Sequence, residues 1–295
     1  MPKLLSLSVA EPTIWKHLLN KIKSSESITT VRTKLKICLF EIAFPPVYFR
    51  RFHPPLTTLL PVTILNLKID NVNIDQVKEF NFLGLIIDTN LNWKKHAEKI
   101  SNACSKKIGI LNKLKHILPL DIKKILYNSL IVPHINYCIM AWGFESNRII
   151  KLQKKALRII TLSNYISHTE PLYKQLSLLK VDDILKLQQL KFYYKYLHND
   201  LPRYLQNWRF VFKYEVHGHD TRYKNKIYTY KIKHEFAKKC LRHNLPLLLN
   251  NLPEIVKEKL MSHSTQGFVN YVKLYFLQSY EVICTRQNCY VCMHN

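Results

Sequence analysis

The sequence predicts a mainly α-helical protein: a helical bundle carrying a small β-hairpin near residues 64–87 and followed by a C-terminal helical module. Three observations predict it. From Asn92 onward, apolar residues recur at helical spacing with only short interruptions. Between Ile64 and Ile87, by contrast, β-branched residues gather into short runs bounded by turn formers. The composition, 47% hydrophobic with 5 glycines and 13 prolines in 295 residues, is that of a folded chain tolerant of helix rather than a disordered one.

Taken in order, the first 68 residues are the least regular. Ile14 to Ile22 has helical spacing and Lys36 to Phe40 the look of a strand, but Pro45-Pro46 and Pro54-Pro55 break any longer period. Leu4 to Ala10 is too short an apolar core for a signal peptide, so this end is expected to be the edge of a truncated domain. Val77 to Phe82 and Leu83 to Ile87 read as paired strands, with a turn at Asp70-Asn71. A long amphipathic helix follows from Asn92 to His116. Later helices are expected to start at Asp121 after Pro119, at Pro133, at Ser146-Asn147, at Asp182-Asp183 and at Pro253-Glu254, each a cap or first-turn residue ahead of an apolar run. Around Val211 to Ile232 the pattern weakens into polar, tyrosine-rich sequence. The expected division is therefore 1–68, 69–210 and 211–295.

Lys plus Arg number 45 against 20 Asp plus Glu, a formal charge of +25. The excess is even, 21 against 10 in residues 1–150 and 24 against 10 in 151–295, so no basic tail explains it. A folded body so charged repels itself unless a polyanion neutralises it, which points to RNA or DNA ahead of an anionic membrane surface. The longest apolar stretch, near Leu56 to Leu65, is broken by Pro61 and far below the roughly 20 residues of a spanning helix. Seven cysteines, four scattered and three clustered at the end, do not make a disulfide scaffold and fit a reducing intracellular compartment, nuclear or cytoplasmic.

Three motifs follow one another in fixed order: Phe80-Asn81-Phe82-Leu83-Gly84-Leu85-Ile86-Ile87-Asp88, Leu91-Asn92-Trp93-Lys94-Lys95-His96, and Tyr127-Asn128-Ser129-Leu130-Ile131-Val132-Pro133-His134-Ile135-Asn136-Tyr137-Cys138. Gln153 to Ile160 and His168-Thr169-Glu170-Pro171-Leu172 continue the series. This order resembles the thumb region of reverse transcriptases, the RNA-directed DNA polymerases of non-LTR retrotransposons of the jockey type. The resemblance implies that residues 1–68 are a palm remnant, that 69–210 holds the palm-end hairpin and a helical thumb, and that 211–295 is a post-thumb module. It implies a primer-grip-like role for Phe82, Leu83 and Gly84. It also implies that the fingers and the aromatic-x-Asp-Asp turn, which hold the family's catalytic metals, lie upstream of residue 1.

The helix after Asn92 carries an argument independent of family. At about 100° per residue, Lys95, Lys99, Lys106 and Lys113 fall within roughly 40° of one another, opposite Ala97, Ile100, Cys104, Ile108, Leu111 and Leu114. Such a lysine row is either a solvated face or a track for phosphates, and the resemblance, which sets a thumb helix along the template–primer duplex, favours the second. Trp93 at its head is offered to a base or sugar, or to the core. Asp182-Asp183 sits at helical spacing and is expected to cap a helix rather than bind metal. The tail offers Cys284, Cys289, Cys292 and His294 as zinc ligands in a knuckle of irregular spacing, with free thiols as the alternative. His217-Gly218-His219-Asp220-Thr221-Arg222 reads as a structural turn.

The expected function is that of the C-terminal part of a retrotransposon RNA-directed DNA polymerase. It would bind RNA, DNA or RNA–DNA duplex through the backbone, have no membrane partner, and be inactive without a polymerase half supplied in trans. The alternative is a helical nucleic-acid or ribonucleoprotein binding module retained without an enzymatic role.

Overall fold

A computed structural model describes residues 67–69, 72–74, 77–89, 92–202, 205, 209–216, 222–232, 238–261 and 264–280. The expected features at residues 1–66, at His217 to Thr221 and in the cysteine-rich tail lie outside the described residues. The chain divides into two compact units, Met1–Phe80 and Asn81–Asn295.

In the first unit, β1 (Leu67–Ile69) and β2 (Val72–Ile74) pair antiparallel with Ile69 opposite Val72, and the turn expected at Asp70-Asn71 lies outside the described residues. A second two-stranded sheet joins β3 (Glu79–Phe82) and β4 (Leu85–Asp88). The β region near 64–87 is thus small, as expected, and holds two two-stranded sheets. The reason is the spacing of turn formers: the two-residue Leu83-Gly84 connection closes its own hairpin, with φ of 49° and 87° as a tight hairpin turn requires.

The rest is helical, and the fold is mainly α. Helix α1 (Lys94–Leu114) buries Ala97, Ile100, Cys104, Ile108 and Leu111, five of the six residues of the expected core stripe. It begins two residues later than its periodicity predicts, because Trp93 takes a left-handed φ of 61° and the Asn92 side chain accepts from Lys94 N–H at 3.0 Å. Helices α2 (Leu120–Leu130), α3 (Val132–Asn136) and α4 (Ile139–Trp142) follow, then α5 (Asn147–Thr161), α6 (Glu170–Leu176) and α7 (Val181–Leu197). The short α8 (Lys213–Val216) precedes α9 (Leu241–Asn250), α10 (Glu254–Lys259) and α11 (Thr265–Gln278). Each helix start expected from Pro119, Pro133, Ser146, Asp182 and Pro253 is present.

Helix α7 is the axis of the packing. It buries Val181, Ile184, Leu185, Leu187, Leu190, Phe192 and Tyr194, so apolar residues surround it rather than forming one stripe. It touches α3, α4, α5, α9 and α11, and Tyr194 stacks on Phe268 of α11 with ring centres 4.9 Å apart. Helices α1 and α5 pack side by side along their length. The tyrosine-rich stretch folds back on itself at the Phe212–Ile227 bridge, and the Asn250 amide of α9 exchanges two hydrogen bonds with the Ile227 backbone, at 2.8 and 2.9 Å.

The core also holds a polar centre. The buried Gln153 amide donates to Tyr127 Oη and to the Leu179 carbonyl, both at 2.9 Å. Its carbonyl accepts from Tyr173 O–H at 2.8 Å and from Val181 N–H at 3.1 Å. All four bonds available to the amide are made, which ties α2, α5, α6 and the start of α7 at one point and meets the requirement that buried polar groups be paired. Burial pushes the Tyr127 and Tyr173 hydroxyls well above their ordinary range, so both remain protonated donors or acceptors.

Candidate nucleic-acid interface

Lys95, Lys99, Lys106 and Lys113 are all exposed on α1, opposite its buried stripe, as the helix geometry requires. From Lys95 to Lys113 the row runs about 27 Å at the helical rise. Its members differ in what they touch. The Lys99 ammonium donates to the Gly84 carbonyl at 3.0 Å. Lys106 and Lys113 have no ion pair or hydrogen bond among the described residues.

The Lys99 contact links the row to the hairpin. The Leu83-Gly84 turn is held twice, by Lys99 Nζ on the Gly84 carbonyl and by Tyr137 O–H on the Leu83 carbonyl. Phe82 is half-buried, while Leu83 and Gly84 are exposed at the turn. A leucine in the left-handed region is strained by about 1 kcal/mol or more, so the two straps fix a tip that would otherwise relax. Behind it, His96 is fully buried, and its Nδ1 accepts from Ile86 N–H at 3.3 Å. The ring meets Trp142 edge-on with centres 5.7 Å apart, and Trp142 Nε1 donates to the Tyr137 carbonyl at 2.7 Å. One connected set thus brings the first three sequence motifs together at the hairpin tip and the first turns of α1.

Sequence reasoning missed His96, Tyr137 and Lys123 as positioning residues. His96 lies at the edge of the apolar arc of α1, and a half-turn of angle is all that could have marked it. Lys123 is nearly fully buried, and its ammonium donates to the Lys115 carbonyl at 3.2 Å, closing the C-terminal end of α1. Trp93 is half-buried at the head of α1, adjoining the row.

The Asp182-Asp183 pair, the sole Asp-Asp pair in the sequence, lies in the first turn of α7. It does not cap in the expected way. The N-cap is Lys180, no side chain caps the helix, and the favourable effect of the pair on the helix dipole remains. Asp183 is instead buried, accepting from Tyr280 O–H at 2.7 Å and pairing with the Lys186 ammonium at 2.9 Å. These bonds tie α7 to the end of α11 and occupy both carboxylate oxygens. No group of three or more metal-ligating side chains occurs among the described residues, and none of the described helices is long and apolar enough to cross a membrane. The four tail ligands, Cys284, Cys289, Cys292 and His294, lie outside the described residues.

No family model matches the chain, and no solved structure matches it. Curated relatives do. A probable RNA-directed DNA polymerase from transposon BS of Drosophila melanogaster is 30% identical over 135 residues, which are 43% of this chain and 15% of that protein. The RNA-directed DNA polymerase from mobile element jockey of Drosophila funebris is 26% identical over 117 residues, 37% of this chain and 13% of that protein. The chain spans about one seventh of the length of the curated relatives it matches. It is similar to a part of the RNA-directed DNA polymerases of jockey-like non-LTR retrotransposons, as its ordered motifs imply.

Proposed function

We propose that this chain is a thumb-like element of a retrotransposon RNA-directed DNA polymerase, and that it binds RNA, DNA and RNA–DNA duplex by their phosphates without reading sequence. The observation that carries the reading is α1. Its apolar stripe is buried, its lysine row is exposed over about 27 Å, and the hairpin tip strapped to it stands at one end. Lysines spaced along a helix are suited to counterion release from a polyanion and poorly suited to base-edge recognition, which calls for bidentate Arg, Asn or Gln. On this reading the chain alone does not incorporate nucleotides, since its one Asp-Asp pair is on a helix and Asp183 is committed to Tyr280 and Lys186.

The test is a titration of RNA–DNA duplexes of two unrelated sequences over a range of salt. Affinity should fall steeply with salt and differ little between sequences. Affinity that barely responds to salt, or that follows one sequence, would remove the proposal. Template-directed incorporation by the chain alone that is lost in a folded Asp182→Ala, Asp183→Ala variant would overturn its second half.

A further inference from the structure

Helix α2 is buried on one side only. Lys123 and Tyr127 face the core, while Ile122, Ile125 and Leu130 remain exposed, Ile125 at 59%. Ile110 on α1, which lines one groove with Leu130, is 52% exposed, and Ile117 in the connecting loop is 74% exposed. Between the two helices runs a shallow apolar groove, open to solvent. Ile110 and Leu114 form one wall and Leu126 and Leu130 the other. Each wall is an i, i+4 pair, so the groove is bounded by two helical ridges. That shape accepts the ridge of a third helix.

We propose that this groove docks an amphipathic helix of an acidic partner protein. The charge around it selects the partner. Residues 94–130 contain 9 lysines and 2 acidic residues, Glu98 and Asp121. Lys106 and Lys113 stand about 40° to 60° around α1 from Ile110, and both are exposed. A second copy of the chain would bring the same lysines, and another +25, against them. Single-stranded nucleic acid requires aromatic faces on which bases stack. The groove's one aromatic residue, Tyr127, is buried to 1% exposure with its hydroxyl bound to Gln153. A bilayer is flat or convex to a protein, and the walls here are concave. An apolar helix flanked by Glu and Asp satisfies both shape and charge.

The experiment uses the full chain and three fluorescent peptides of about 18 residues. One has a leucine stripe at i, i+3, i+4 and i+7 with Glu flanks, one has the same stripe with Lys flanks, and one has the first composition scrambled so that no stripe forms. Anisotropy should show binding of the first peptide only. The Ile110→Ser, Leu130→Ser double variant should weaken it at least about tenfold. That variant should keep the wild-type circular dichroism and duplex affinity, because both side chains are already partly in water. Equal binding of the scrambled or Lys-flanked peptide, or no effect of the double variant, overturns the proposal. So does a dimer in sedimentation, anionic vesicle capture or duplex binding that the double variant abolishes, since each assigns the groove to a different occupant. The proposal does not rest on the nucleic-acid reading: a chain that fails to bind duplex would still bind the acidic peptide.

Discussion

The His96 imidazole has its Nδ1 engaged by Ile86 N–H, while its Nε2 is buried without a partner among the described residues. With Nδ1 accepting, the neutral ring carries its proton on Nε2, so a second proton would have to take Nδ1 against the Ile86 N–H and place a buried charge with no acceptor. Burial, and to a smaller degree the Lys99 ammonium, lower its pKa from 6.5 to about 4. In the unfolded chain the ring titrates near its ordinary value, so between these two pH values the unfolded state holds the extra proton and acid favours unfolding. The stability that depends on neutral His96 is complete above pH 6.5 and is lost as pH falls toward 4. The stability difference between the protein and its His96→Gln variant, which keeps an acceptor for Ile86, should therefore shrink by on the order of 3 kcal/mol across that interval. Urea unfolding at a series of pH values measures it. A difference that stays constant would mean the imidazole accepts its proton without leaving its site.

At the scale of elements, the hairpin of β3 and β4 depends on contacts supplied from elsewhere in the chain. Isolated two-stranded hairpins are marginal in water, and this one has a leucine at positive φ in its turn. Tyr137→Phe deletes the bond to the Leu83 carbonyl and leaves the Trp142 contact with the Tyr137 backbone in place. The amides of β4 should then exchange with solvent several-fold faster, about 1 kcal/mol of local protection, with little change in the global melting temperature. Hydrogen exchange followed by mass spectrometry separates the two effects; a drop in Tm with no local change would mean the strap belongs to the core instead. The helix starts at Pro119, Pro133 and Pro253 were legible in the sequence because a fixed φ and a missing N–H act on neighbours along the chain. The strap was not legible, since Tyr137 and Leu83 are 54 residues apart and no local period encodes their meeting. The same holds for Asp183, whose acidic position at a helix start suggested a cap until Tyr280, 97 residues on, supplied its partner.

Over the whole molecule, a charge of +25 raises the question of whether binding is the work of one face or of the general field. The α1 row was legible as geometry, but its inequality was not, because Lys99 is engaged by a carbonyl 15 residues earlier. Changing Lys95, Lys99, Lys106 and Lys113 to Gln should flatten the slope of log affinity against log salt by about 2 units or more, at roughly 0.9 for each phosphate held by Lys106 and Lys113. The fold should persist, since the buried stripe is untouched and Gln is close to Lys in helix propensity. The comparison must remove equal charge without touching structure. Lys123 is unsuitable, being buried against the Lys115 carbonyl, whereas Lys151, Lys154, Lys155 and Lys174 are all exposed on α5 and α6. If phosphates follow α1, the second quadruple variant should lose less than about one unit of slope, the share expected of a screened, distant field. Equal losses in the two variants would make the α1 row one part of a diffuse positive surface, and the duplex would then have no preferred track along this helix.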